Sequence, residues 1–449
     1  MVYLLLVIFI IIFIISYTKF KDFLHPAVLI CISFIFASIC ACYNVKYFGS
    51  DLRFLTMILL TINVVSFVLG GVIAKMIKAR QAFQSNEQVS EDFNPIYISS
   101  LIIIVFIVMQ IVIIIICTSI FLDTIGGFNG FRALSQQMAY YRQLSLFQND
   151  ADARLPSIFN HLRKVSLAIA LVNTYVCLNN RNISSKKQII QEYYCNSIWL
   201  LSSIIYLPLC IMLGGRMEAF FYLFACFSIF GMLKTHYWGI KSLKITHLIL
   251  FSIVFIILFY TLNDLMGRST SRNIIDNITF YFGGGIKAFD DYIQEPIPQS
   301  HIWGKETFYA IIRQLDRFGI INANYSVALE FRYFHGGSLG NVYTNARRLY
   351  HDFGISGIIL LQTLFGFIMS LFYSIVHNRI INNRVSISCI FYCIISHSII
   401  MMPFEELFYN TILSTNYLLI LICIIIAAST VNTKKIKIIE SGVFSDTFN

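Results

Sequence analysis

Residues 343–373 read YTNARRLYHDFGISGIILLQTLFGFIMSLFY. A polar, basic segment (Asn345, Arg347, Arg348, His351, Asp352) gives way within two residues to a mostly apolar run that starts at Gly354. About 20 such residues let a helix cross a bilayer core, where every backbone N–H and C=O must be bonded within the segment itself. The stretch therefore marks a helix entering a membrane with its charges left at headgroup depth. Working outward, comparable runs occupy residues 2–18, 26–44, 54–75, 96–122, 162–178, 195–213, 217–233, 246–262, 353–376, 385–403 and 411–430. The expected fold is all-α, a polytopic integral membrane protein with about eleven transmembrane helices.

The totals agree. Hydrophobic residues make up 57% of the 449 and charged residues only 12%, far from soluble-domain usage. Mean hydropathy is +0.72. The net charge of +10 would suggest nucleic acid in a soluble chain. Here it is spread over short connections and reads as topology, with no nucleic-acid partner expected. All eleven cysteines lie in or beside apolar runs, so neither a structural disulfide nor a CxxC metal site is expected. The first run has no positive segment before it, and Lys19 and Lys21 follow it. It reads as a retained span rather than a cleaved signal peptide.

Alternate connections carry the basic residues: Lys19/Lys21, Lys75/Lys78/Arg80, Arg181/Lys186/Lys187, Lys234/Lys241/Lys244, Arg379/Arg384 and Lys434/Lys435/Lys437. Positive connections face the cytoplasm, so the C-terminus is expected inside and the N-terminus outside. Two long connections then lie on the outer face, residues 123–161 and 263–352, within a single membrane domain. The two short runs flanking Gly214-Gly215-Arg216 allow a re-entrant pair as the alternative to two spans. No strand pattern is evident.

In the first outer loop Phe131, Leu134, Met138, Tyr141 and Leu144 recur at spacings of three and four. That is an amphipathic helix, either in the headgroup plane with Arg132 and Arg142 on phosphates or capping the bundle with both arginines solvated. In the second loop Phe308, Ile311, Ile312 and Leu315 predict another, with Arg313 and Arg317 on its far side. Gly283-Gly284-Gly285 is a hinge or a site of close backbone approach. Thr344 is a candidate helix cap. Arg347 and His351 then share one helix face, and Arg348 and Asp352 another, as a local ion pair. Arg347 has no nearby acid in sequence, which favours an external anion. Glu405-Glu406 is an outer acidic pair, available to orient arginines, bind sugar hydroxyls or be solvated. Tyr140, Tyr141, Tyr281, Tyr292 and Trp303 are candidates for stacking on sugars or for ordinary interfacial aromatics.

Gly214-Gly215-Arg216 after an apolar span, a polar loop of this size, and the DFGxxG-started span quoted above together resemble the bacterial O-antigen polymerase (Wzy) family. The resemblance covers most of the chain by architecture and only these short motifs by residue. It implies a GT-C-like glycosyltransferase in the bacterial inner membrane. Such an enzyme transfers a growing glycan from undecaprenyl diphosphate onto a hydroxyl of a new lipid-linked repeat unit at the periplasmic face. It also implies no metal or other cofactor, and a polysaccharide chain-length regulator as a possible partner.

The residues themselves supply suitable chemistry. A diphosphate leaving group needs fixed positive charge, and arginine offers bidentate geometry. Arg216, Arg268, Arg272, Arg347 and Arg348 lie near outer span ends, with Arg132 and Arg142 on the first loop. Arg216 also reads as an ordinary snorkelling anchor. The base that activates the acceptor is sought among Asp352, His335, His351 and Asp264. There is no HExxH, no Asp-rich triplet and no phosphate loop of the Walker type, and Asp290-Asp291 alone is a common surface pair. An O-antigen ligase is the nearest alternative, and a flippase or exporter of the lipid-linked unit the next. An apparent shortage of charges within the spans counts against transport.

Overall fold

The computed structural model describes residues 1–48, 51–82, 96, 99–127, 130, 136–141, 155–187, 198–212, 216–265, 273–298, 300–323, 329–334, 337–378, 380 and 384–431. In chain order the helices are α1 (Val2–Phe20), α2 (Pro26–Tyr43), α3 (Val45–Phe48), α4 (Phe54–Ala82) and α5 (Ser100–Ile125). A short α6 covers residues 136–141. Then come α7 (Ser157–Lys187), α8 (Ile198–Ile211), α9 (Arg216–Trp238), α10 (Ile245–Leu265), α11 (Ile274–Gln294) and α12 (Tyr309–Arg317). The chain finishes with α13 (Ala346–Asn378), α14 (Ile387–Ile395), α15 (His397–Ile400), a π-helical turn at Phe408–Ile412, and α16 (Thr415–Ser429). The protein is an all-α, multi-pass membrane protein. Six of the described helices (α1, α2, α4, α5, α9 and α13) are long and apolar enough to cross a bilayer. Shorter apolar helices occupy Leu200–Ile211, Ile245–Phe259, Ile387–Ile400 and Thr415–Ser429.

Local chemistry sets the helix ends. Pro26 opens α2, where its missing N–H costs nothing, and the His25 ring accepts from Ala27 N–H at 3.2 Å. Gly126, at φ 86°, closes α5 in the left-handed conformation that glycine adopts without strain. Within α13 Gly354, at φ 64° and ψ −153°, interrupts the helical backbone, separating the basic entry segment from the apolar run.

Small residues bring the helices together. Gly70 of α4 and Gly366 of α13 face each other's backbone so closely that a Cβ on either would collide with main-chain atoms. These two helices form the most extensive pairing in the bundle. Gly283 sits against Ala41 of α2 and Gly285 against the Pro403 carbonyl, where added Cβ atoms would come within 2.6 and 2.5 Å. The glycine triplet is thus a site of close approach in the middle of a continuous helix, and not a hinge.

That helix is the main departure from the expected loop. Residues 263–352 do not form a polar appendage, because α11 packs along α2 and contributes Ile286, Phe289 and Tyr292 to the core. The expected α12 is present, and Arg332–Phe334 pairs with Gly337–Gly340 as a small antiparallel hairpin that the sequence did not signal. In the first loop α6 buries Met138 and Tyr141 and exposes Tyr140, as its periodicity requires.

Two contacts test the alternation of basic connections. The Lys75 ammonium donates to the Lys19 carbonyl, and the Tyr373 hydroxyl bonds Asp22, so the distal ends of α1, α4 and α13 meet. Arg181 and Lys234, from two further basic connections, line one pocket. Gly231 of α9, three residues before Lys234, packs against Leu24 in the α1–α2 connection, so these four basic helix ends lie on one side of the bundle.

Candidate functional site

Two charged regions lie toward the other side. The first is built where α13 begins. Asn345 is fixed by its N–H to the Met402 carbonyl (2.7 Å) and by an amide pair with Asn63 of α4. The Thr344 hydroxyl makes no hydrogen bond among the described residues, so Thr344 does not cap the helix with its side chain. The Arg347 guanidinium is fully buried. It bonds Glu306, bonds both carboxylate oxygens of Glu330 at 2.8 and 2.9 Å, and lies over the Tyr292 and Tyr343 rings. His351, one turn on, takes a 2.7 Å hydrogen bond between its Nδ1 and the Tyr292 hydroxyl, and its Nε2 is 3.5 Å from Glu306.

Arg347 thus has internal acids, and its lack of a local one no longer favours an external anion. Its partners lie 41 and 17 residues away in sequence and are delivered by tertiary folding. Arg348 does not pair with Asp352: it reaches Glu405 at 3.1 Å, one of the roles foreseen for that acid. The Asp352 carboxylate instead accepts from the Glu306 and Thr307 N–H groups at 3.1 and 2.6 Å. Asp352 thus holds the chain leading to α12, and Arg347, Arg348 and His351 are buried among protein partners. Glu406 is buried and accepts from the Tyr409 and Asn410 N–H groups. Burial pushes its carboxyl up to about 7.

The second region is a cavity of about 350 Å³ among α7, α8, α9, α14–α15 and α16. Its polar lining includes Arg163 and Lys164 of α7, Glu218 of α9, His397 and Asn416. Its apolar lining includes Leu167, Leu171, Tyr206, Tyr222 and Ile420. Arg163 pairs with Glu218 and donates through Nε to the Leu209 carbonyl (3.0 Å). Lys164 meets the Asn416 amide oxygen at 2.6 Å. His397 lies between the Phe221 and Tyr417 rings, with Nε2 3.4 Å from the Tyr417 hydroxyl. The Glu218 side chain remains 43% exposed, so the cavity is not sealed. A 3.2 Å hydrogen bond from Gln314 to Thr415 ties α12 to the start of α16, placing the cavity and the 263–352 layer at one end.

Of the other predicted residues, Arg132, Arg142, Arg268, Arg272 and His335 lie outside the described residues. Arg216 begins α9, two residues before Glu218, and Asp264 lies in the last turn of α10; their side chains are not described. Among the proposed aromatics Trp303 and Tyr140 are exposed, whereas Tyr141 and Tyr292 are core residues. Arg163, Lys287, Asp290, Arg347 and Arg348 are all buried, but they lie near the starts of α7 and α13 or on α11 rather than along the apolar length of a span.

Sequence reasoning missed Arg163, Lys164, Glu218 and His397 as a set. A signal existed: Arg163-Lys164 is a basic pair at the start of a span where the alternation places few positive charges. No group of three His, Cys, Asp or Glu side chains converges among the described residues. Compared with protein-family models, curated proteins and solved structures, the chain matches none of them.

Proposed function

We propose that this chain is a lipid-diphosphate-dependent glycosyltransferase. It polymerises undecaprenyl-diphosphate-linked O-antigen repeat units at the periplasmic face of the bacterial inner membrane. The observation that carries the reading is the α7–α9–α16 cavity. It combines two cations, an accessible carboxylate and an apolar wall at a helix-bundle end. In this reading eleven spans (α1, α2, α4, α5, α7, α8, α9, α10, α13, α14–α15 and α16) put the N-terminus outside and the C-terminus inside. The motifs resembling O-antigen polymerases support it from the sequence side.

Arg163 and Lys164 would hold the donor diphosphate and neutralise the charge that grows on it as the bond breaks. The acceptor hydroxyl oxygen attacks the anomeric carbon, the bond from that carbon to the phosphate oxygen breaks, and the lipid diphosphate leaves. Glu218 takes the hydroxyl proton. Donor binding draws Arg163 onto phosphate and frees the Glu218 carboxylate, so the base is unmasked only when substrate is present. The apolar wall takes the first part of the prenyl chain or a sugar face.

The test is a lipopolysaccharide gel of a deletion strain complemented with wild-type chain, Arg163→Gln or Glu218→Gln. Wild type restores a ladder, and each variant leaves core carrying a single repeat unit. Bare core in the deletion strain would replace polymerisation with ligation or transport.

A further inference from the structure

At the opposite end of the bundle a pocket of about 610 Å³ opens between α7, α9 and the turn that follows α9. It is lined by Leu178, Arg181, Asn182, Phe230, Lys234 and Trp238, among others. The two cations come from different helices, and no carboxylate lines the pocket among the described residues. Lys234 Nζ lies 2.8 Å from His247 Nε2, so an ammonium meets an imidazole rather than an acid. His247 Nδ1 in turn lies 3.2 Å from both the Lys244 backbone nitrogen and its carbonyl oxygen, and an imidazole adds no negative charge. Exposed Lys241 and Lys244 stand on the adjoining turn.

The pocket has an apolar side as well. Lys234 lies 5.2 Å from the Phe230 ring centre, and Trp238 is half exposed with its indole N–H on Asn182 (3.1 Å). Aromatic residues with one wet edge and one apolar face belong at the headgroup layer. The spacing along α7 agrees. Arg163 and Arg181 are eighteen residues apart, roughly 27 Å at about 1.5 Å per residue. That is close to the thickness of a bilayer hydrocarbon core, ~30 Å. The two basic pairs therefore stand at opposite headgroup layers.

We infer that the Arg181–Lys234 pocket binds the phosphate headgroup of an anionic phospholipid in the leaflet opposite the cavity. Arg181 and Lys234 clamp the phosphodiester, while Phe230, Leu178 and Trp238 flank the glycerol and first acyl methylenes. Basic pockets between membrane helices select anionic headgroups by this means. The site is independent of the glycosyltransferase reading and stands whichever reaction the cavity performs.

The test uses full-length, detergent-solubilised protein and thermal unfolding, with short-chain phosphatidylglycerol, short-chain phosphatidylcholine or inorganic phosphate added at equal concentration. Phosphatidylglycerol at a large excess over its Kd is expected to raise Tm by several degrees, and the other two to raise it little. Arg181→Gln/Lys234→Gln should weaken the apparent affinity at least tenfold, and Lys234→Arg should keep it. An equal shift with phosphatidylcholine, or an unchanged response in the double variant, would overturn the inference. An equal shift with inorganic phosphate would assign the pocket to free phosphate and overturn the lipid. The three wild-type comparisons decide even where a variant does not fold.

Discussion

The Arg347 cluster and the α7–α9–α16 cavity use the same residue types for different ends. Arg347 meets two carboxylates and two aromatic faces and is fully buried. Arg163 meets one carboxylate that is itself 43% exposed, and its neighbour Lys164 faces a neutral amide. A buried arginine whose charge is matched by two carboxylates is held in place by them, although the Arg347 Nε–H makes no hydrogen bond among the described residues. One matched by a single exposed acid beside a second cation can exchange that partner for a phosphate. An arginine near a span end is therefore not by itself a ligand site, and the number and burial of its acids decide.

The largest expected effect tests the first half of this contrast. Arg347→Ala leaves Glu306 and Glu330 without their shared counter-charge, at a cost of about 3–5 kcal/mol. Folded protein in membranes should fall sharply and thermal unfolding should move down. Full accumulation at wild-type Tm with polymer lost would make Arg347 a ligand after all and collapse the distinction. In the cavity the opposite pattern is expected. Arg163→Gln or Glu218→Gln should lower the polymerisation rate about 10²–10³-fold while membrane protein level stays near wild type. Normal ladders from both would remove the cavity from the mechanism.

A fourth substitution separates geometry from charge. Gly285→Ala pushes a methyl to within 2.5 Å of the Pro403 carbonyl, beside the Arg348–Glu405 pair. Overpacking of this kind costs roughly 1–3 kcal/mol. Its measured effect should be a lower Tm with little change in activity per folded molecule. The last test concerns Glu406, whose carboxyl is raised from 4.5 to about 7 by burial. The folded state keeps a proton that the unfolded chain has released across that interval, so stability falls as pH rises through it and levels off above. Melting curves across this range should show Glu406→Gln losing less stability than wild type. Parallel curves would mean that the carboxyl titrates normally.

The helical, membrane-spanning character was legible because it rests on composition and run length, which are local properties. The runs 2–18, 26–44 and 54–75 reappear as α1, α2 and α4 with little displacement. The α12 periodicity was equally plain. By contrast α11 was hidden, since Gly283-Gly284-Gly285 lowers helix propensity and the close packing of α2 and of the Pro403 backbone against it repays that loss. The ion pairs were hidden for another reason. The i, i+4 geometry placed Arg347 beside His351, but no local rule could bring Glu306 and Glu330 to them.

The sequence by itself determined that this chain enters a membrane several times, roughly where its apolar helices run, and that basic residues fall in alternate connections. Those properties depend on the solvent that each segment can tolerate, which the segment's own residues decide. Only the tertiary structure decided which arginines are spent on internal carboxylates and which stand in a cavity. Pairing energy depends on the distance and burial of groups far apart in the chain, and only the packed helices supply these.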